Sequence, residues 1–381
     1  MPMNALRASF THVLRAGPLV ILALFATVAL SCNPNDGSPR VRGVYAEVAV
    51  EVQPAPDDVL ARLRPTGARV VVRWWYALDP VRWRWEIEGV GSIIDDGTSL
   101  TVSDGNDSWS YDDRLNVYQR GVFRELPDRT VLSPIFSAPV GPANVPTIDE
   151  FIERWRDVGE MREAVRAGEE TILGRRTEVV EIRSPAGGSV RAYIDPERMF
   201  IMRWVVDGES GRQSLDAEVT TLDYDADIDV SRLTFDPPPG AREVEAVDGC
   251  SFTGSSGGEG AFHSERGFLR PAYAPPGYRS GSSGSQGSHL GDCRIVATWS
   301  LLESSDEAYI LLYQRLRAGG IPQTARAWER VESDLGEVFV HSENGTVRLV
   351  WRAHDVVGLL EANSVTVQEL LRIAESAELV P

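Results

Sequence analysis

The sequence predicts a mainly β protein of the α+β class, in which an antiparallel sheet is crossed by a helix and followed by a smaller α+β unit. Three observations support this prediction. Short runs of alternating apolar and polar residues recur along the chain, turn signals separate these runs, and few segments have helical periodicity. This spacing favours one antiparallel sheet over alternating βαβ units.

The clearest strand pattern is the segment 82–88, in which three apolar side chains alternate with four charged ones. A similar apolar row at 70–76 comes just before it, and Trp109 and Tyr111 follow the turn signal 104–107. Because successive side chains of a strand point to opposite faces, each run predicts a half-buried strand. Further strands are expected at 44–52, 177–183, 190–194, 201–206 and 214–222.

One amphipathic helix is expected in the middle of this sheet. Thr147 and Glu150 form a capping box, and apolar side chains follow them at helical spacing. A helix with one apolar face, inserted between strands of a single sheet, should lie across the sheet and cover one of its faces. The apolar stripe consists of Ile148, Phe151, Ile152, Trp155 and Val158.

The start of the chain indicates export. A positively charged leader precedes the uncharged apolar stretch 17–30, which is shorter than the roughly 20 residues that a transmembrane helix needs. The tetrapeptide 29–32 resembles a bacterial lipobox, which implies cleavage before Cys32 and attachment of a lipid to its thiol. Ordinary secretion with a free Cys32 thiol is the alternative. Lipidation explains the residue better, because an exposed lone thiol is a liability in an oxidising compartment.

The remaining chain is long enough for two domains, each with its own core. Cys250 and Cys293 are the two other cysteines, and in an exported protein they are expected to form a disulfide, with two free buried thiols as the alternative. The expected organisation is a signal peptide at 1–31, a lipidated tether at 32–43, a sheet domain at 44–246, a Gly/Ser-rich linker at 247–274 and an α+β domain at 275–381.

Charge and residue patterns argue against several classes of function. The net charge of −18 disfavours binding to nucleic acid or to anionic membrane surfaces. The five histidines, of which His289, His341 and His354 lie in the second unit, lack metal-ligand spacing. The alternating aspartates of 223–229 suggest calcium, but Ile228 and Thr234 stand where an EF-hand loop needs Gly and Glu. We therefore expect no enzyme, no metal site and no cofactor.

Five motifs in a fixed order resemble the outer-membrane lipoprotein-sorting family of LolA, LolB and RseB, over about residues 44–244. Each motif is short, and the resemblance depends on their common order. The motifs are Tyr76 with Asp79-Pro80 and Arg82-Trp83-Arg84-Trp85, Asp104-Gly105 with Ser108-Trp109-Ser110-Tyr111, Gly174-Arg175-Arg176 with Val179-Val180-Glu181-Ile182, Tyr193-Ile194-Asp195-Pro196 with Met202-Arg203-Trp204, and Phe235-Asp236-Pro237-Pro238-Pro239-Gly240.

This resemblance implies a curved, unclosed antiparallel half-barrel whose mouth is closed by lid helices and whose hollow holds acyl chains. The alternative is a solid core filled by the same aromatic side chains. The expected lining is Trp74, Trp83, Trp85, Ile87, Trp109, Tyr111 and Trp204 from the sheet, with Phe151 and Trp155 from the lid.

The second unit resembles a small domain of unassigned function at the C-termini of bacterial lipoproteins and anti-sigma-like proteins. Strands at 294–300 and 308–314, a hairpin at 347–361 and a capped helix at 366–377 carry this resemblance. The pairing of the two units is similar to the layout of RseB, in which the second domain contacts a partner.

The expected function is that of a membrane-anchored lipoprotein that binds acyl chains of lipids or lipoproteins outside the cytoplasm, as carrier, receptor or sensor. The tether favours a receptor or sensor, and the strand expected at 44–52 departs from the carriers, which begin with a helix. The rival is an envelope-stress sensor whose C-terminal domain binds a regulatory membrane protein of the anti-sigma type. A lipoprotein with a solid core and no ligand is the third hypothesis.

Overall fold

The structure is a computed structural model that describes residues 39–53, 63, 69–78, 80–90, 96–121, 140–143, 145–157, 163–183, 188–207, 214–245, 268–287, 290, 295–304 and 308–380. Within these ranges it contains 22 strands and two α-helices, so the mainly β fold class is confirmed. Two short 3-10 helices span Val230–Leu233 and Ala325–Ala327.

The first unit is built around a 13-stranded sheet. Its strands are β1 (Arg40–Gln53), β2 (Arg69–Leu78), β3 (Val81–Val90), β4 (Gly97–Ser103), β5 (Ser108–Asp112), β6 (Val117–Arg120), β7 (Gly141–Pro142), β8 (Glu163–Ile172), β9 (Arg175–Arg183), β10 (Ser189–Asp195), β11 (Phe200–Asp207), β12 (Ser214–Asp229) and β13 (Arg242–Glu243).

The strand order is β13-β6-β5-β4-β3-β2-β1-β12-β11-β10-β9-β8, with β7 added beside β11. All pairings are antiparallel except that of β13 with β6. Because β13 and β8 end the sheet without pairing to each other, the sheet is open, and the predicted unclosed half-barrel is confirmed. The central strand β1 joins the β2–β6 meander to the β8–β12 meander.

The first strand begins earlier than the sequence predicts. Arg40 pairs with Asp229 and Gly43 pairs with Ala226, so residues 40–43 belong to β1 and not to the tether. The alternation of 44–52 does not continue into this end of the strand, because Val41 is out of phase with Val44 across Gly43, where the register is irregular. In the structure the guanidinium of Arg40 contacts the Asp227 carboxylate at 3.1 Å.

The predicted helix is present as α1 (Ile148–Asp157). The backbone N–H of Glu150 donates to the Thr147 Oγ1 at 3.2 Å, which confirms the helix cap of the predicted box. Phe151 and Ile152 are buried in the sheet core, as the helical stripe requires. Val158 lies outside the described residues.

The second unit contains a seven-stranded antiparallel sheet in the order β15-β16-β17-β21-β20-β19-β18, a two-stranded sheet of β14 and β22, and helix α2. Its elements are β14 (Phe268–Pro271), β15 (Arg279–Gly287), β16 (Ile295–Glu303), β17 (Tyr309–Leu316), β18 (Glu329–Ser333), β19 (Gly336–Glu343), β20 (Thr346–Ala353), β21 (Val356–Asn363), α2 (Val367–Glu375) and β22 (Ala377–Val380). The predicted hairpin and capped helix are β20–β21 and α2.

Two strands lie where the sequence predicts linker or loop. Phe268–Pro271 forms β14 and pairs with β22, so this unit begins before residue 275. The Gly/Ser-rich segment 280–288, whose composition suggests a loop, contributes most of β15. A Cβ on Gly284 would lie 2.7 Å from the Trp299 indole. Glycine is therefore needed there for close packing, a role that composition does not reveal.

Cys32, Cys250 and Cys293 lie outside the described residues, as does the signal segment 1–31. Lipidation of Cys32 and the Cys250–Cys293 disulfide therefore stay predictions. In the part of the chain that the structure describes, no helix is both long enough and apolar enough to cross a membrane.

Candidate functional site

One face of the first sheet carries the lid helix, and we call it the inner face. Phe151 and Ile152 of α1 are buried there among Val48, Val50 and Ala217 of β1 and β12. Because directly paired residues of antiparallel strands share a face, the strand register extends this assignment from β1 to β6.

Three rows of paired residues cross the inner face from β1 toward β6. Each row is apolar on β1 and β2, mainly aromatic on β3, and mostly polar on the strands beyond. The rows are Val44, Tyr76, Trp83, Ser103 and Ser108; Ala46, Trp74, Trp85, Thr101, Ser110 and Gln119; and Val48, Val72, Ile87, Ser99, Asp112 and Val117.

Seven of the nine residues expected to line a hollow lie on this side of the sheet. Four sheet residues are placed there by the register. The other three belong to the core beneath α1, where the ring centroids of Trp155 and Trp204 are 5.6 Å apart. These seven are Trp74, Trp83, Trp85, Ile87, Phe151, Trp155 and Trp204.

The prediction is wrong for the face of Trp109 and Tyr111. Trp109 pairs with Val102 and Tyr111 with Leu100, which places both rings on the outer face. There they pack around Phe235 with ring centroids 6.0 and 6.1 Å away. The apolar side of the sheet thus changes from inner to outer between β3 and β4.

Burial divides the seven inner-face residues into two groups. Trp83, Phe151 and Trp204 are 1%, 3% and 5% exposed, so they fill a solid core. The other four are half-buried, which leaves an apolar surface on β2 and β3 beside the core: Trp74, Trp85, Ile87 and, from the helix, Trp155. The candidate binding surface is therefore smaller than the sequence predicts.

A cleft of about 360 Å³ lies elsewhere, between α1 and β8. Four of its six lining residues are charged: Asp149, Glu153, Arg156 and Arg166. Arg166 contacts Asp149 and Glu178 at 3.1 and 3.0 Å. A lining of this polarity does not suit acyl chains.

Polar side chains on the inner face of β4–β6 form a second feature, which the sequence prediction missed. We call Ser103, Ser108, Ser110, Asp112 and Gln119 the polar strip; each is less than 9% exposed. The same alternation that predicts Trp109 and Tyr111 on one face places Ser108 and Ser110 on the other. The sequence therefore contains the signal for this polar face.

The charge in the polar strip is balanced within the protein. The Arg114 guanidinium donates to both carboxylate oxygens of Asp112, at 2.9 and 3.0 Å, and to the Ser99 hydroxyl at 2.9 Å. Burial disfavours the charged form of Arg114, but the attraction of Asp112 and Asp113 outweighs it and raises the pKa of Arg114. Arg114 therefore keeps its positive charge beside Asp112.

Within the described ranges, no group of three or more His, Cys, Asp or Glu side chains is placed to hold a metal ion. Three of the four aspartates that suggested calcium have other partners. Asp227 pairs with Arg40, Asp229 accepts from the Ser231 N–H at 2.8 Å, and Asp223 accepts from the Asp225 N–H at 2.9 Å.

No family model and no curated protein matches the chain. Among solved structures, it is similar at the level of the fold to a putative outer membrane lipoprotein-sorting protein domain from Vibrio parahaemolyticus, with 9% identity, a TM-score of 0.22, and coverage of 48% of this chain and 84% of that one.

Two other solved structures show a similar fold. The MucA/MucB complex of Pseudomonas aeruginosa matches with 13% identity, a TM-score of 0.31, and coverage of 89% of this chain and 94% of that one. The Mycobacterium tuberculosis lipoprotein LppX matches with 14% identity, a TM-score of 0.25, and coverage of 49% and 89%. At these values the likeness concerns the fold alone.

Proposed function

We propose that this chain is a membrane-anchored binding protein that holds acyl chains of lipids or lipoproteins on the inner face of its half-barrel, and that it is not an enzyme. The observation that carries this proposal is the half-buried apolar surface of Trp74, Trp85 and Ile87. Trp74 and Ile87 pack against the buried core under α1, and Trp85 lies directly opposite Trp74 on the neighbouring strand. A contiguous apolar surface beside a packed core is a place where an acyl chain can be removed from water.

The energetics suit reversible capture. Burial of about ten methylenes stabilises a complex by on the order of 8 kcal/mol before the cost of ordering the chain is subtracted. The amphipathic helix α1 lies at one side of this surface, where Trp155 is half-buried against Trp204. A lipid on Cys32 would hold the protein at the extracytoplasmic face of a membrane, close to its ligand.

Quenching of tryptophan fluorescence by phospholipids with brominated acyl chains tests the proposal. Replacement of Trp85 by Ala should weaken lipid binding roughly tenfold or more, because a large apolar contact is lost. Trp109→Ala is the matched control, since Trp109 lies on the outer face of the same sheet. Absence of lipid binding by the wild-type protein, or equal loss in both variants with unchanged folding, would contradict the proposal.

A second function, that of an envelope-stress sensor, is favoured by one observation. Arg114 binds Asp112 and Ser99 on the inner face, and its backbone carbonyl also accepts from the Ala318 N–H of the second unit at 2.6 Å. An occupant of the inner face would therefore lie next to the contact with the second unit.

The sensor hypothesis predicts lipid-dependent recovery of a partner. A transmembrane anti-sigma factor should co-purify with the full chain in amounts that differ between lipid-loaded and lipid-free protein. Equal recovery in both states would argue against a sensor and leave lipid binding itself unaffected.

A further inference from the structure

Three large apolar side chains are exposed among the residues that the structure describes. They are Val81, Leu173 and Leu379, with exposed fractions of 40%, 49% and 45%. A single exposed apolar side chain is common on protein surfaces and needs no explanation. Val81 and Leu173 differ from that case, because both lie at hairpin turns and both turns lie at the same end of the first sheet.

The strand register defines this end of the sheet. Leu78 pairs with Val81 across the β2–β3 turn, and Ile172 pairs with Arg175 across the β8–β9 turn. All neighbouring strands from β3 through β1 to β8 are antiparallel, so both turns lie at the end of the sheet where β1 begins with Arg40. We call this end, which carries Arg40, the β2–β3 turn and the β8–β9 turn, the hairpin end.

The second unit contacts the opposite end of the sheet. Leu63 belongs to the connection that leaves the last residue of β1, and Asp96 comes directly before β4. Arg114 follows β5, and its backbone carbonyl accepts from the Ala318 N–H. These three contacts between the units lie at the end of the sheet away from Arg40.

The backbone at Leu173 indicates that its side chain has a role outside the packed interior. Leu173 and Gly174 form the β8–β9 turn and both have positive φ, of 50° and 74°. Two-residue hairpin turns of this kind favour Asn and Gly, and a bulky side chain there is strained. Packing compensates for little of this strain, because Leu173 is 49% exposed. Strained backbone is typical of sites where function requires the residue.

The start of the chain indicates what the hairpin end faces. Cys32 precedes Pro39, the first described residue, by seven residues, which span at most about 25 Å. The strand β1 has 14 residues and is about 46 Å long. A lipid on Cys32 would therefore hold the hairpin end nearer to the bilayer than the end that contacts the second unit.

The charges beside Leu173 favour apolar insertion over attraction to anionic head groups. Arg175 and Arg176 follow the turn, but Arg175 contacts Asp195 at 3.3 Å and Arg176 contacts Glu169. The net charge of −18 also disfavours an anionic surface. Transfer of apolar side chains from water to the edge of the acyl region is favourable without such attraction.

We propose that the hairpin end faces the membrane and that Leu173 and Val81 insert into the edge of the acyl region of a phospholipid bilayer. The inference rests on the proposed lipid anchor at Cys32. It adds a second contact with the bilayer and an orientation, in which the second unit points away from the membrane.

Fluorescence at single positions tests the contact. Leu173, Val81 and Leu379 should each be replaced, one at a time, by an environment-sensitive fluorescent amino acid in the lipidated chain. On phosphatidylcholine vesicles we expect a blue shift of the emission at positions 173 and 81, and a loss of intensity with phospholipids brominated on their acyl chains. Leu379 is the matched control, because it is similarly exposed but lies on β22 of the second unit. Neither change is expected there.

Three results would overturn the inference. They are unchanged intensity with brominated lipids at positions 173 and 81, equal quenching at position 379, and a blue shift without quenching, which would indicate that a second copy of the chain covers the turns.

Two further measurements separate this contact from the proposed function. Trp85→Ala removes part of the acyl-chain surface and should leave the quenching at position 173 unchanged; loss of that quenching would mean that lipid on the inner face is the quencher, and would overturn the contact. If mass spectrometry finds Cys32 without lipid, the proposed anchor fails. An N-terminal polyhistidine tag in place of residues 1–32, on vesicles that contain a nickel-chelating lipid, then holds the same point of the chain, and quenching at the three positions decides the inference by the same criteria.

Discussion

At the scale of single residues, Asp113 shows how burial disfavours the charged form of a carboxyl group and raises its pKa. Its carboxylate accepts from the Thr98 N–H at 2.8 Å, yet burial raises its pKa above the ordinary value of 3.8. Repulsion from Asp112 adds to this effect, while Thr98, Arg114 and Arg317 oppose it. The folded protein therefore holds the Asp113 proton more tightly than the unfolded chain does.

This difference predicts a dependence of stability on pH. The contribution of Asp113 is fully present below its unfolded pKa and is lost as the pH rises through its higher folded pKa. Asp113→Asn should remove that loss, so the free energy of unfolding of the variant relative to wild type should increase as the pH rises above the ordinary aspartate pKa of 3.8 and Asp113 ionises in the wild-type protein. Chemical denaturation at a series of pH values measures it, with the exposed Asp225→Asn as control. If the difference in the free energy of unfolding between Asp113→Asn and wild type does not change with pH, the prediction is wrong.

At the scale of elements, alternation in the sequence predicts strands better than it predicts which face of the sheet a strand presents. The run 82–88 and the pair Trp109 and Tyr111 both lie on strands, as expected. Their apolar sides nevertheless point to opposite faces, because Phe235 covers the outer face at β5. Period-two patterns define the two sides of one strand, but the register that relates strands depends on distant partners.

The close packing of aromatic rings on glycine recurs in the second unit and gives a prediction. Gly358 pairs with Trp351, and a Cβ at Gly358 would lie 2.5 Å from the Trp351 indole, which is fully buried. Gly358→Ala should destabilise this unit by about 1–3 kcal/mol through overpacking.

Thermal unfolding measures this effect, and Gly319→Ala is the matched control because a Cβ there would meet no atom within 4 Å. Similar midpoints for the two variants would mean that the sheet relaxes around the added methyl group.

At the scale of the whole molecule, contacts join the two units. Arg317 donates to the Asp96 carbonyl at 2.8 Å and to its carboxylate at 3.2 Å. Leu63, from the connection between β1 and β2, is 2% exposed within the core of the second unit. The sequence predicts two separate cores, but it does not predict these contacts between the units. Charged residues far apart in the chain have no pattern that identifies them as partners.

The contact between the two units should weaken when the Arg317–Asp96 ion pair is removed. Arg317→Ala leaves Asp96 partly buried without this partner, which should cost about 1–3 kcal/mol at the contact between the units. Scanning calorimetry should then show the two units unfolding more independently than in wild type. Arg330→Ala is the control, because Arg330 is 67% exposed and 3.8 Å from its partner Glu337. A single unchanged transition in Arg317→Ala would indicate that apolar contacts such as Leu63 hold the units together.

The position of β1 at the centre of the open sheet has a consequence for how the chain folds. Apart from the short β7 and β13, every other pairing in this sheet joins consecutive strands, whereas the pairing of β1 with β12 joins residues 161 to 189 positions apart. Each doubling of a closed loop adds only about 0.6 kcal/mol at equilibrium, but the loss of chain entropy comes before the new contacts compensate for it. By topology, the two meanders can therefore assemble from local contacts, and their union along β1 is the slow step in forming the sheet.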